Sequence, residues 1–160
     1  LAASGELNAR LGGASFQPFT VTKLQTSFYH LFDSGEPEFN RRSIYRMQIN
    51  TGRSPFLEAF DCPAPSLAMP QRRSTTTTLQ ALALMNDSFV LRQTERMAER
   101  IERSLSNEDR VEHISRAMQL TLGRQPTAVE LSQFETLVEQ HGLNNLCWVL
   151  LNTSEFLYVR

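Results

Sequence analysis

The sequence is short of lysine. Of its 16 basic residues only Lys23 is one, and all the others are arginine. Arginine suits bidentate, partly buried pairing with carboxylates, whereas lysine favours solvated surfaces; a genomic composition bias explains the same count. Cysteine is scarce too. Cys62 and Cys147 stand alone, with no CxxC and no Cys/His cluster, which excludes a structural zinc site and covalent haem attachment on this chain. No run approaches the ~18 apolar residues of a membrane span, so no membrane insertion is expected. An excess of one charge is missing as well: the net charge is -1, which argues against binding nucleic acid through a basic face. Finally, catalytic signatures are absent. His30, His113 and His141 are scattered, with no HExxH and no Ser/His/Asp order, and there is neither a nucleophile elbow nor a glycine-rich phosphate loop. No cofactor and no metal are expected.

What is present describes a folded domain. A chain of 160 residues with 41% hydrophobic and 21% charged residues suffices for one globular domain with a genuine core. The first residue is Leu1 and the first methionine Met47. LAASGELNARLGG has neither the charged nor the apolar region of a signal peptide. The chain is therefore expected to be a piece of something longer. Within residues 1–160 read as one domain, residues 1–74 form a loop-rich half and residues 75–160 a helical bundle. The first half is rich in glycine and proline, and aromatic residues from Phe16 to Phe60 anchor its irregular backbone. Ser43 to Asn50 fits both periods, Ile44/Met47 a helix and Tyr45/Met47/Ile49 a strand, and the helix is preferred.

In the second half, helix signals follow one another. Thr77 and Gln80 form a capping box, after which Leu79, Leu82, Ala83 and Asn86 share a face. Asp87 caps a long helix with Phe89, Val90, Met97, Ala98, Ile101 and Leu105 inward, and Glu99 precedes Arg103 by four residues. Ser106 with Asp109 opens the next helix, which buries Val111, Ile114, Met118 and Leu122 and stops at Gly123. Thr127 and Glu130 repeat the capping box before Leu131, Phe134, Leu137 and Val138. Gly142 closes that stripe, and a last helix runs from about Asn144 to Asn152. Cys147, among Leu146, Val149 and Leu150, reads as a buried inert thiol; a disulfide to Cys62 in an oxidising compartment is the other reading. Short connections make successive helices near-antiparallel neighbours. The fold class is thus mainly α, a loop-rich N-terminal half packed on a small C-terminal helical bundle.

Two basic clusters carry the candidate site. Arg72-Arg73 precede Thr75-Thr76-Thr77-Thr78 at a helix start, where guanidinium groups and free N–H groups can hold a phosphate, sulfate or carboxylate. Arg41-Arg42-Ser43-Ile44-Tyr45-Arg46 is the second cluster, able to hold an anionic ligand or an acidic partner. Against both stands a structural reading: the threonines cap, and Arg41 or Arg42 pairs with Asp61 inside the fold. Glu58 and Asp61 are the carboxylates nearby. Paired carboxylates perform glycoside hydrolysis, but adjacent arginines depress both pKa values, whereas a general acid needs the opposite. Asn86-Asp87 falls short of the oxygen count that calcium requires. The candidate surface is therefore Arg41, Arg42, Tyr45, Asp61, Arg72, Arg73, Thr75 and Thr77, and no residue is put forward as catalytic.

GGASFQPF, NRRSIYR, EAFDCP, RRSTTTTLQALALMNDSFV, LGRQPTAVEL and LLNTSEFLYV occur in that order. On these segments the chain resembles a planctomycete-specific C-terminal domain of unknown function, found in large secreted proteins with an upstream cytochrome-c-like domain. The resemblance runs from about Ala2 to Val159, and it implies that the chain is the C-terminal portion of a larger one. It departs where Thr78 and Ser88 replace prolines, leaving the cap side chains of Thr77 and Asp87 to define those helix starts. It departs again where Gln71 replaces a cysteine. The resemblance implies an extracytoplasmic parent whose haem belongs to another domain. The reading that follows is a non-catalytic structural or interaction module whose partners are other domains of its parent. Binding or hydrolysis of a sulfated or carboxylated polysaccharide through the arginines is one alternative. Docking onto the parent's cytochrome-c-like domain is another.

Overall fold

The computed structural model describes residues 1–64, 66, 77–105 and 109–157. Helix accounts for 52% of them, and the sheet among the described residues is a single two-stranded hairpin. The chain is mainly α, as its periodicity predicts. Two compact units divide it, one formed by residues 1–6 with 84–160 and the other by residues 7–83.

The helices are α1 (Pro55–Ala59), α2 (Thr78–Asn86), α3 (Ser88–Ser104), α4 (Arg110–Leu122), α5 (Ala128–Leu151) and α6 (Ser154–Leu157). Their boundaries lie where short polar side chains and glycine put them. The Thr77 hydroxyl accepts from the Gln80 amide at 3.2 Å, and the Gln80 side chain accepts from the Thr77 amide at 3.2 Å. Asp87 accepts from the Phe89 amide at 2.9 Å and Asp109 from the Val111 amide at 2.9 Å. Such caps are each worth about 1 kcal/mol. The expected partnership of Ser106 with Asp109 lies outside the described residues; Asp109 is the N-cap of α4. Thr127 and Glu130 complete their box, and Gly123 ends α4 in the left-handed region at φ 71. α5 bends at Gly142 (φ 83, ψ 166), so its two arms meet where the sequence predicts two helices. Only glycine holds that conformation cheaply.

α3, α4 and α5 pack pairwise. Met97 and Ile101, Ile114 and Met118, and Leu146, Cys147 and Leu150 are fully buried between them. The expected faces of three helices need correction. Val111 is exposed, because the buried stripe of α4 runs through Ile114, Ala117 and Met118. On α3 the stripe is completed by Gln93 and Thr94, polar residues that periodicity counts as outward. The Gln93 side chain accepts from the Ser4 hydroxyl at 2.6 Å, and Arg100 donates to the carbonyls of Ala2 (3.1 Å) and Ala3 (2.8 Å), which staples residues 1–6 to α3. On α2, Gln80 and Leu84 are buried, whereas Leu79 and Leu82 are exposed at 63% and 56%. Glu99 pairs with Arg96 at 3.0 Å, while Arg103 donates to the Glu99 backbone carbonyl.

In residues 7–83, β1 (Phe19–Lys23) pairs antiparallel with β2 (Ser27–Leu31), Phe19 opposite Leu31 and Lys23 opposite Ser27. A lone hairpin is marginal in water. Edge-on aromatic pairs support it, Phe19 with Tyr29 and Phe32 with Phe39, both at 5.4 Å. The helix expected from Ser43 to Asn50 shrinks to a 3-10 turn over Ser43–Tyr45, after which Arg46 bridges to Phe16. Pairing with a distant strand-like segment has overridden a weak local preference.

Candidate functional site

The segments GGASFQPF and NRRSIYR form one knot. Residues 8–16 run parallel to residues 40–46, with isolated bridges between Asn8 and Arg41 and between Phe16 and Arg46. The Asn8 amide donates to the Asn40 carbonyl, the Phe16 amide to the Tyr45 carbonyl and the Met47 amide to the Phe16 carbonyl, each at 2.9 Å. Between these rungs Gly12 (φ 71) and Gly13 (φ 80) turn the loop through left-handed backbone, and its carbonyls converge on one cation.

That cation is Arg41, 8% exposed. Its Nη1 donates to the Ala14 carbonyl at 3.0 Å, and its Nη2 donates to the carbonyls of Arg10 at 3.2 Å and Gly12 at 2.6 Å. The guanidinium lies over the Tyr45 ring, 4.0 Å from its centre, where the negative ring face favours a cation. The Tyr45 hydroxyl accepts from the Gly12 amide at 3.1 Å. Arg41 thus serves carbonyl oxygens rather than the Asp61 carboxylate. Its buried Nε has no partner among the described residues. Arg46 is half-buried, and burial lowers its pKa, opposed by Asp33 and Cys62.

The other candidates occupy different places. Arg42 is exposed and precedes the 3-10 turn, its carbonyl accepting from the Tyr45 amide at 2.9 Å. Asp61 sits at the end of α1 with φ 57. Its amide donates to the Glu58 carbonyl at 3.1 Å and the Cys62 amide to the Leu57 carbonyl at 3.0 Å, the double bond pattern of a helix stop usually built on glycine. Aspartate tolerates that backbone better than most residues. Glu58 accepts from Arg53 at 2.9 Å. Thr77 caps α2 as described above. Arg72, Arg73 and Thr75 lie outside the described residues. The structure therefore brings Arg41 and Tyr45 together, and it gives Asp61 and Thr77 helix-boundary tasks. Cys147 is a fully buried free thiol whose pKa burial pushes up to about 12, in keeping with an inert core residue.

A second polar cluster escaped the sequence reading. All five N–H groups of Arg124 are used. Nη1 and Nη2 donate to Glu130 at 2.9 and 2.7 Å, Nε and Nη2 to Glu155 at 2.6 and 2.8 Å, and Nη1 also to the Gln125 carbonyl at 3.2 Å. The available signal was the occurrence of Arg124, Glu130 and Glu155 within two recognisable segments; nothing in spacing joins Glu155 to the other two. The Arg124 hydrogen bond, helped by Thr127, holds the Glu130 carboxyl down at about 2, and the same guanidinium lowers Glu155. Its own hydrogen bonds, donated first to Glu155 and then to Glu130, raise Arg124. Both carboxylates ionise more readily in the folded chain. The contribution of Glu130 is therefore complete above the ordinary value of 4.5 and is lost as pH falls toward about 2, and that of Glu155 is lost in the same direction. The melting temperatures of wild type and Arg124→Gln should accordingly differ by a few degrees at neutral pH and converge on acidification to about 2. An unchanged gap across that range would contradict the assignment.

A family model described as PSD1, protein of unknown function (DUF1553), matches residues 1–138. The chain belongs to the PSD1 family. No curated protein matches it, and no solved structure does either. The residues matched to PSD1 include the whole Arg41 knot together with Arg124 and Glu130, while Glu155 lies beyond them.

Proposed function

We propose that this PSD1 domain is a non-catalytic structural or interaction module of a larger extracytoplasmic protein. The observation that carries the reading is the inward turn of Arg41. A guanidinium holding three backbone carbonyls against a tyrosine ring organises a loop and has little left to offer a ligand. Asp61 ending α1 and Thr77 capping α2 support the same reading, since each candidate already has a backbone task. The extracytoplasmic parent, its planctomycete origin and its cytochrome-c-like domain rest on the ordered segments from GGASFQPF to LLNTSEFLYV. The interaction half of the reading is supported by α2, where Leu79, Leu82 and Met85 leave apolar surface exposed, a feature associated with contacts between domains. Docking onto the parent's cytochrome-c-like domain is one form of such a contact.

The exposed Arg42 favours the second reading, a domain that grips sulfated or carboxylated polysaccharide. A charged-glycan array at physiological salt separates the two. The module reading expects no retention of the wild-type chain. Retention that Arg42→Ala abolishes with the melting temperature unchanged would replace it with the glycan reading.

A further inference from the structure

We propose that α6 is a strap latched by Arg124, able to leave and reseat without unfolding the helices beneath it. A single turn such as Ser154–Leu157 has no stability of its own. None of its residues is buried. Its amides at Phe156 and Leu157 donate no further back than Thr153, both to its carbonyl at 3.2 Å and that of Phe156 also to its hydroxyl at 3.3 Å. It rests on α4 and α5, with Phe156 and Leu157 half-buried. Its one ion pair among the described residues is Glu155 with Arg124.

The two carboxylates on Arg124 are not equivalent. Glu130 is fixed independently, because its carboxylate also accepts from the Thr127 amide at 2.8 Å and hydroxyl at 2.9 Å while its own amide donates to that hydroxyl at 3.3 Å. Arg124 follows Gly123, whose left-handed backbone turns the chain out of α4. The guanidinium is therefore held at its Nη1/Nη2 end by a residue that belongs to the start of α5. Its Nε/Nη2 edge faces Glu155 as a preformed two-pronged receptor. The receptor persists when its occupant leaves, which is the condition for reversible latching. Arg124, Glu130 and Glu155 keep about a third, a quarter and a half of their side-chain surface in solvent, 35%, 28% and 48%, so water and salt compete for the latch.

Amide hydrogen exchange at neutral pH tests the proposal. Glu155→Gln should speed exchange at Phe156 and Leu157 by about fivefold, with the amides of Leu146 and Leu150 unchanged. Molar salt, where screening acts within ~3 Å, should speed the same two amides in wild type and have no further effect in Glu155→Gln. Glu130→Gln should release the strap as well and additionally loosen the first turn of α5. Unaltered exchange at Phe156 and Leu157 in Glu155→Gln would mean that their packing alone holds α6, and the latch would be discarded. Exchange rising equally through α4 and α5 would mean that the fork braces the whole bundle, which would also overturn it.

Discussion

Leu146→Ala should cost the helical unit about 3 kcal/mol and lower its melting temperature by roughly 15 °C. Leu146 is 0% exposed and stands on the second arm of α5, just past the bend at Gly142. It belongs to one cluster with Met97 and Ile101 of α3 and Ile114 and Met118 of α4. Three helices therefore supply the walls of the cavity that truncation would leave. A cavity closes only if its walls move, and these are fixed by caps at Asp87, Asp109 and Thr127, so little relaxation is available. Trp148 is the chain's single tryptophan, and its indole N–H donates to the Met85 carbonyl at 3.3 Å. Its fluorescence should report the transition. Leu143→Ala, at 7% exposure on the rim of the same cluster, should cost less. A shift below about 5 °C for Leu146→Ala would mean that the helices collapse onto the gap, and that this core is less firmly specified than its burial suggests.

The helical part of the fold could be read closely because its instructions are local. A threonine, aspartate or glycine needs no distant partner to start or stop a helix. Asp87, Gly123, Thr127 and Gly142 each stand where the sequence puts a boundary. Which face turns inward is not a local property. Val111 and Leu79 fit an apolar stripe but are exposed, whereas Gln93 and Thr94 are buried. Gln93 goes inward because Ser4, far away in sequence, supplies a hydrogen-bond partner for its amide oxygen. Period counting has no access to such a partner. The weak helix preference of Ser43 to Asn50 fails for the same reason, since the bridge from Arg46 to Phe16 decides that segment.

The candidate site follows the same division. The arginine-rich composition fits a genomic bias as well as bidentate pairing, and Arg41 and Arg124 are each held by several acceptors. Neither set of acceptors is legible in the sequence pattern. For Arg41 the sequence offers Asp61, a carboxylate, yet the chain supplies carbonyl oxygens from a Gly-Gly turn, which no side-chain pattern reveals. Asp61 meanwhile occupies a left-handed backbone position that is not visible until α1 is known to end there. Arg124 finds Glu155 across 31 positions, a pairing set by how α5 returns the chain toward the end of α4.

Arg41→Ala should be among the most damaging substitutions in residues 7–83, at about 2 to 3 kcal/mol. It deletes three charge-assisted hydrogen bonds and a cation–π contact at one stroke. The loss is limited because residues 10–13 lie at the surface, where water can solvate the abandoned carbonyls. Arg41→Lys should recover less than half of it: a compact ammonium cannot span carbonyls that approach two separate guanidinium nitrogens. Tyr45→Phe, which removes only the acceptor of the Gly12 amide, should cost about 1 kcal/mol. Amide exchange at Asn8, Phe16 and Met47 measures all three variants, because those amides form the rungs that Arg41 keeps aligned. The alanine variant should speed them by roughly 30- to 150-fold. Unchanged exchange there would show that the rungs hold without the cation. A buried guanidinium kept at such desolvation cost with no structural return would then need a ligand to account for it.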